Sequence, residues 1–153
     1  MSTARPVLHH VGVQTFDLAN SVAWYRDFFG CETNWSTDRF SALTRSRLPG
    51  VTRLTEVDFA GVRLHLFERR GTERAEATDQ VRFQHLCVRV AEAAELPWWR
   101  DRWWELYRSG RYRFLTDAPP TEIVVDAAGI SSFYCLDVNG LEFEFTHVPE
   151  AAS

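Results

Sequence analysis

In four predicted strands, a histidine or a glutamate lies on the face opposite the aliphatic side chains of the same strand. They are His10, His65, His85 and Glu144. Successive side chains of an extended strand point to opposite faces, so all four share the less aliphatic face of a predicted strand. Imidazole and carboxylate groups that converge from different strands are suitable donors for Fe2+, Mn2+, Co2+, Ni2+ or Zn2+. The pattern therefore favours a divalent metal site built from these four residues.

A structural role is the alternative for each histidine, because a single strand histidine is more often hydrogen-bonded in the core than bound to metal. Taken alone, His65 would be given that role. The matched positions of all four residues favour metal binding instead. By the same alternation, His9 and His147 fall on the opposite faces, and they are assigned to packing against helices.

The elements that would position these donors follow from hydrophobic periodicity and turn signals. Alternation predicts strands over residues 7–14, 31–36, 52–59, 62–68, 83–90, 123–126, 131–137 and 141–147. Helices are predicted at residues 17–30, which end at a glycine, and at 97–109, which carry a proline in the first turn. Residues 37–50 are predicted to be a long loop or short strand ends.

The two halves of the sequence repeat one plan, which is a strand, a helix and then three strands. In each half a glycine stands four residues before the last candidate ligand: Gly61 before His65, and Gly140 before Glu144. The charged stretch 69–80 is the natural linker between the halves. We therefore expect an α+β fold of two βαβββ modules, at about 7–70 and 81–148, within a single domain of residues 1–153.

The composition of the chain argues against some classes of binding partner. The chain has 153 residues and a net charge of −4, which argues against a nucleic-acid partner. It shows neither a signal-peptide pattern nor an apolar run of membrane-spanning length, so no membrane partner is expected. The three scattered cysteines, Cys31, Cys87 and Cys135, are typical of reduced thiols in a cytoplasm. The tryptophan pairs at 98–99 and 103–104 are interpreted as a helix face buried against a sheet.

Four stretches together resemble one known family. They are His-Val-Gly-Val at 10–13, Ala-Trp-Tyr-Arg-Asp-Phe-Phe-Gly at 23–30, Gln-His-Leu-Cys-Val at 84–88 and Asp-Val-Asn-Gly-Leu-Glu-Phe-Glu at 137–144. The chain thereby resembles the vicinal oxygen chelate superfamily, the group of glyoxalases, bleomycin-resistance proteins and extradiol dioxygenases. The resemblance implies paired βαβββ modules, with helices outside, whose sheets curl around a metal cavity. It also implies one metal donor from the first and fourth strand of each module, which are the four residues already named.

The resemblance implies Lewis-acid chemistry on an enolate or the vicinal oxygens of a small metabolite, and it does not fix the reaction. The four donors favour a divalent-metal-dependent, glyoxalase-like lyase or isomerase, because four protein ligands leave few open positions for O2 and a bidentate substrate. Such a site favours an anionic or carbonyl-containing substrate, and Glu144 is the candidate catalytic base. Residues 44–53 contain no carboxylate, which argues against an epimerase acting on coenzyme A esters. Family members assemble their sites within one chain or across a homodimer, and a homodimer is favoured here.

Two other functions stay open at this point. The first is an Fe2+-dependent dioxygenase or other oxygenase that uses His10, His85 and Glu144, with His65 outside the ligand set. The second is a small-molecule-binding resistance protein without catalysis. The nature of the bound metal separates the two enzymes, and its absence would favour the binding protein.

Overall fold

The computed structural model describes residues 9–70, 85–127 and 129–149. The chain divides into two compact units, Met1–Ala75 and Glu76–Ser153. The first unit contains β1 (Val11–Thr15), α1 (Leu18–Phe29), β2 (Thr33–Thr37), α2 (Ala42–Arg47), β3 (Val51–Phe59) and β4 (Val62–Arg69). The second contains β5 (His85–Arg89), α3 (Glu95–Arg108), β6 (Val124–Val125), β7 (Ser131–Leu136) and β8 (Glu142–His147). Some predicted features lie outside the described residues. They are the first residues of two predicted strands, 7–8 and 83–84, and linker residues 71–80.

Each unit is built around one four-stranded mixed sheet. The strand orders are β1-β4-β3-β2 and β5-β8-β7-β6, which is the same order repeated. In both sheets the first and fourth strands pair in parallel, and the other neighbours are antiparallel. The predicted α+β class and the two βαβββ modules are thus confirmed. The single-domain assignment and the curling of the sheets around a cavity stay predictions.

Helix α1 forms where the sequence supplies a cap at each end. The Asp17 carboxylate accepts a hydrogen bond from the Asn20 backbone N–H at 3.0 Å, and Gly30 ends the helix in the left-handed region at φ 71°. Between the caps, Trp24, Tyr25 and Phe28 are at most 2% exposed. The helix thereby buries a continuous aromatic face, which provides the core of the first unit.

Helix α3 buries only part of its tryptophan pairs, which corrects the expectation of a uniformly buried face. Trp103 is fully buried, and its indole N–H donates to the Leu136 carbonyl of β7 at 2.8 Å. Trp98, in contrast, is 57% exposed. The two residues are five positions apart, which rotates them by about 140° around a helix of 3.6 residues per turn, so they cannot share one face.

The segment predicted as a loop or strand ends, residues 37–50, contains the short helix α2. Its cap is Ser41, whose hydroxyl accepts a hydrogen bond from the Thr44 backbone N–H at 3.1 Å. A serine cap is a local signal that the absence of hydrophobic periodicity in this stretch obscured. The prediction of no helix here was wrong.

Because the thiol of Cys31 is buried, the stability of the first unit is expected to decrease as the pH rises through the alkaline range. Burial, with a smaller contribution from Asp58, raises the pKa of this thiol from 9.0 to about 12. The unfolded chain therefore loses the proton first as the pH rises above 9, so unfolding is increasingly favoured up to pH 12. We expect the stability difference between wild type and Cys31→Ala to be constant below pH 9. Above pH 9, the free energy of unfolding of the wild type should fall relative to that of the variant by up to about 1.4 kcal/mol per pH unit.

Urea unfolding of both proteins at pH 8 and at about pH 10.5 measures this difference. The alanine variant serves as the matched control, because every other titrating group is common to the two chains. A difference that stays the same at both pH values would contradict the assignment.

Candidate metal site

His65 lies in the middle of β4, where it is held between two neighbouring strands. Its register partners are Gly12 on β1 and Glu56 on β3. The side chain is buried, and its ring stacks on that of His10 with centroids 3.7 Å apart and planes 4° from parallel. Two of the predicted donors, His10 and His65, therefore lie side by side in the first unit.

Glu56 is a carboxylate that the sequence interpretation missed, and it holds His65 in place. Its Oε2 lies 2.7 Å from His65 Nε2, and its Oε1 accepts a hydrogen bond from the Asn34 amide at 3.0 Å. The Asn34 hydrogen bond lowers the pKa of Glu56, and His65 and Arg63 lower it further, although burial opposes them. An ionised carboxylate only accepts hydrogen bonds, so His65 donates from Nε2 and, when neutral, keeps the lone pair on Nδ1. This is how carboxylates commonly orient metal-binding histidines.

The Glu56–His65 contact could have been found from the sequence. In a two-residue hairpin, the residue numbers of any two paired positions have the same sum as the residue numbers of the two turn residues. The turn residues here are Ala60 and Gly61. That rule pairs residue 56 with residue 65, as the structure does. The predicted hairpin with this turn therefore places Glu56 opposite His65.

His9 was assigned to packing against a helix, and the structure contradicts this assignment. Its Nδ1 lies 2.9 Å from Nδ1 of His10, and its ring stands edge-on to His65 with centroids 6.4 Å apart. His9 is exposed, and β1 begins only at Val11. The alternation of an extended strand does not apply before the strand begins, which is why the predicted face was wrong.

The environment of His10 favours the neutral form of its imidazole. Partial desolvation of the exposed ring is the main factor that lowers the pKa of His10, and the neighbouring His65 and His9 lower it further against an opposing effect of Glu56. A neutral imidazole has one nitrogen with a free lone pair, which is the form that binds metal. His10 is thus shifted towards the protonation state that metal binding needs.

In the second unit the other two predicted donors lie together on one face of the sheet. His85 Nε2 is 3.2 Å from Glu144 Oε2, and the side chains are partly exposed. Glu144 is the register partner of Cys87 on β5 and of Tyr134 on β7. The carboxylate therefore occupies the centre of a row that crosses three strands.

Tyr134 and Cys87 both donate hydrogen bonds to the Glu144 carboxylate. Burial raises the pKa of Tyr134, and the hydrogen bond to Glu144 raises it further. Burial likewise raises the pKa of Cys87 to about 11, with Glu144 as the next cause. Both groups therefore stay protonated at neutral pH and keep Glu144 oriented as an acceptor. The sequence interpretation named neither residue in this role.

The two sheets support their candidate donors in corresponding ways. His65 and Glu144 lie on the fourth strand of their sheets, and each contacts its register partner on the third strand: Glu56 and Tyr134, respectively. The structure brings together His10 with His65, and His85 with Glu144. Convergence of the two pairs on one ion stays a prediction, as does the catalytic role of Glu144.

The donors present fit a divalent ion of borderline softness. Imidazole nitrogens and a carboxylate suit iron, manganese, cobalt, nickel or zinc, as the sequence predicted. Both His65 and Glu144 also have the hydrogen-bonded partners that orient metal ligands.

Among the helices of the described residues, none has the length and apolar character needed to span a membrane.

Comparison with solved structures shows several chains of the same fold. Lactoylglutathione lyase from Agrobacterium tumefaciens is 22% identical, with 95% of this chain and 96% of that chain covered and a TM-score of 0.58. The fosfomycin resistance protein FosX from Listeria monocytogenes, complexed with Mn(II) and sulfate, is 18% identical, with 95% of each chain covered and a TM-score of 0.61. A glyoxylase/bleomycin resistance protein/dioxygenase domain from Frankia sp. EAN1pec is 16% identical, with 97% and 96% covered and a TM-score of 0.70.

None of the curated proteins matches this chain significantly. The model of one protein family does match, and it does so over residues 7–145, which is nearly all of the chain. That span includes the first βαβββ module, the second as far as residue 145 within β8, and all four predicted donors. The chain belongs to the Glyoxalase/Bleomycin resistance protein/Dioxygenase superfamily.

Proposed function

We propose that this protein is a divalent-metal-dependent enzyme of the glyoxalase type, a lyase or isomerase that acts on a small anionic or carbonyl-containing metabolite. The observation that carries the proposal is the matched support of the candidate donors on the two fourth strands. His65 is held by Glu56, and Glu144 is held by Tyr134 and Cys87. Proteins commonly orient metal ligands in this way.

The ligands in this proposal are His10, His65, His85 and Glu144. Three neutral imidazoles and one carboxylate leave a divalent ion with a net charge of about +1, which favours an anionic oxygen of the substrate. When bound, the ion would supply Lewis-acid polarisation of a substrate carbonyl or neighbouring oxygen. The fosfomycin resistance protein of similar fold was crystallised with Mn(II), and it supports a metal of this class without identifying the one used here.

The proton transfers of the reaction are assigned to Glu144. Its carboxylate lies 3.2 Å from His85 Nε2 and is flanked by its register partners Tyr134 and Cys87. These contacts hold the acceptor oxygens at defined positions while a substrate proton moves to them. Tyr134 is the residue through which β7 positions this base.

An Fe2+-dependent oxygenase is the second candidate, and one specific observation favours it. His65 Nε2 is engaged by Glu56 and the side chain is buried, so His65 could orient its neighbours from outside the ligand set. His10, His85 and Glu144 would then form the two-histidine, one-carboxylate set of non-haem iron oxygenases. A homodimer and a cytoplasmic location are further proposals that accompany either enzyme.

Metal content decides between these functions. We expect protein purified without added metal to contain close to one divalent ion per ligand set, measured by elemental analysis. Chelation should abolish turnover, and the same metal should restore it. Manganese, cobalt, nickel or zinc would support the lyase or isomerase, and iron with substrate-dependent oxygen uptake would support the oxygenase. Protein that takes up no metal even after reconstitution would overturn both and leave a small-molecule-binding protein.

A further inference from the structure

His9, His10 and His65 form a cluster of three imidazoles. Two of them, His10 and His65, also belong to the four-donor set, which is His10, His65, His85 and Glu144. We propose that the first unit binds a divalent transition-metal ion through these three imidazoles, with His9 as a metal ligand. The inference deepens the proposed function, on which it rests only in sharing His10 and His65. It needs neither His85 nor Glu144.

The separation of the His9 and His10 donor atoms fits two ligands of one ion. Their Nδ1 atoms are 2.9 Å apart. Metal–imidazole bonds are about 2.0–2.1 Å long, so two nitrogens at neighbouring coordination positions lie about 2.8–3.4 Å from each other. Without an ion, two nitrogens this close need a shared hydrogen, with one as donor and the other as acceptor. A cation that replaces this hydrogen lies off the line between the two nitrogens, so the two exposed rings would turn to direct their lone pairs at it.

His65 completes the set from the buried side. The donor atoms of the three histidines all lie within 4.8 Å of one another. The rings of His10 and His65 are stacked with their planes 4° from parallel, and imidazole lone pairs lie in the ring plane. Binding of one ion by both residues therefore requires rotation of a ring, and the exposed ring of His10 is the one that would rotate. Because Glu56 engages Nε2 of His65, the lone pair left for the ion is on Nδ1. His65 is therefore the fixed donor, and the exposed His9 and His10 supply the adaptable ones.

The chemistry of the set limits which ions it takes. Three neutral imidazoles suit zinc, cobalt, nickel and copper, whereas magnesium and calcium prefer oxygen ligands. The set contains no carboxylate, so the ion keeps its full charge of +2 and attracts anionic ligands strongly. Three imidazoles with a remaining open position are also a donor set of catalytic zinc sites.

Cobalt titration of the metal-free full-length chain tests the role of His9. We expect His9→Ala to weaken Co2+ binding by at least about tenfold, because removing even a hydrogen-bonding partner of a ligand has that effect. The visible Co2+ absorption should change as well. One exchangeable, contact-shifted imidazole N–H resonance should disappear from the proton NMR spectrum. His147→Ala is the matched control, since it removes a histidine of β8 that lies outside the cluster, and it should leave all three readouts unchanged.

The same titration separates this inference from the proposed function. If His9→Ala binds Co2+ like wild type while His85→Ala and Glu144→Ala lose it, the inference falls and the four-donor set stands. If His9→Ala loses binding and the other two variants keep it, the inference stands and the four-donor set falls. Loss in all three variants supports both, and wild-type protein that takes up no Co2+ overturns both. Because His9 is exposed, its variant should melt at the wild-type temperature, which circular dichroism verifies.

Discussion

Replacing Glu144 by glutamine is expected to lower the affinity for the divalent ion by at least about 100-fold. Loss of a group that merely orients a ligand typically costs 10–100-fold, and loss of the charged ligand itself should cost no less. The substitution keeps the shape of the side chain and both register contacts of β8, with Cys87 and Tyr134. It removes the negative charge, which is the only formal charge in the four-donor set. The measurement is calorimetric titration of the metal-free protein with Mn2+ and Co2+.

Glu142→Gln provides a closely matched control. Glu142 lies on the same strand and the same face, two residues away, and its carboxylate is 3.9 Å from His85 Nδ1. Its side chain is 41% exposed, against 18% for Glu144. We expect this variant to bind metal within a fewfold of wild type. Equal losses in the two variants would show that the general negative charge of this face attracts the ion, and Glu144 would lose its assignment as a ligand.

Replacing Trp103 by alanine is expected to destabilise the second unit by about 3–5 kcal/mol, the usual cost of removing a large buried aromatic side chain. Trp103 is fully buried and stacks on Tyr107 with ring centroids 5.0 Å apart. The indole also satisfies the Leu136 carbonyl through a hydrogen bond of 2.8 Å. The alanine variant leaves a cavity and also an unsatisfied carbonyl of β7, which adds to the loss.

Trp98→Ala makes the same chemical change in the same helix at an exposed position. We expect it to alter the free energy of unfolding by no more than about 0.5 kcal/mol. Urea unfolding followed by tryptophan fluorescence and circular dichroism measures both variants. A similar loss in both would show that helix propensity or tryptophan content in α3, and not burial of Trp103, determines the stability.

The paired modules were predictable because their signals are local. The caps of α1, the alternation in β7 and β8 and the hairpin turn at Ala60-Gly61 each depend on a few neighbouring residues. The repeat of these signals in both halves was sufficient to predict the βαβββ plan that the sheets confirm. Helix α2 was missed because its signal is a single serine cap, Ser41, without an apolar stripe to support it.

The sequence by itself determined the residue types and the strands that carry them, and hence the four candidate donors. Only the tertiary structure decided what surrounds each donor. Tyr134 reaches Glu144 because β7 and β8 pair in one particular register. His9 joins His10 at a position before β1 begins at Val11, and Glu56 contacts His65 because β3 pairs with β4. Alternation fixes only the face of a strand on which a side chain lies, whereas contacts across strands depend on register and on where each strand begins.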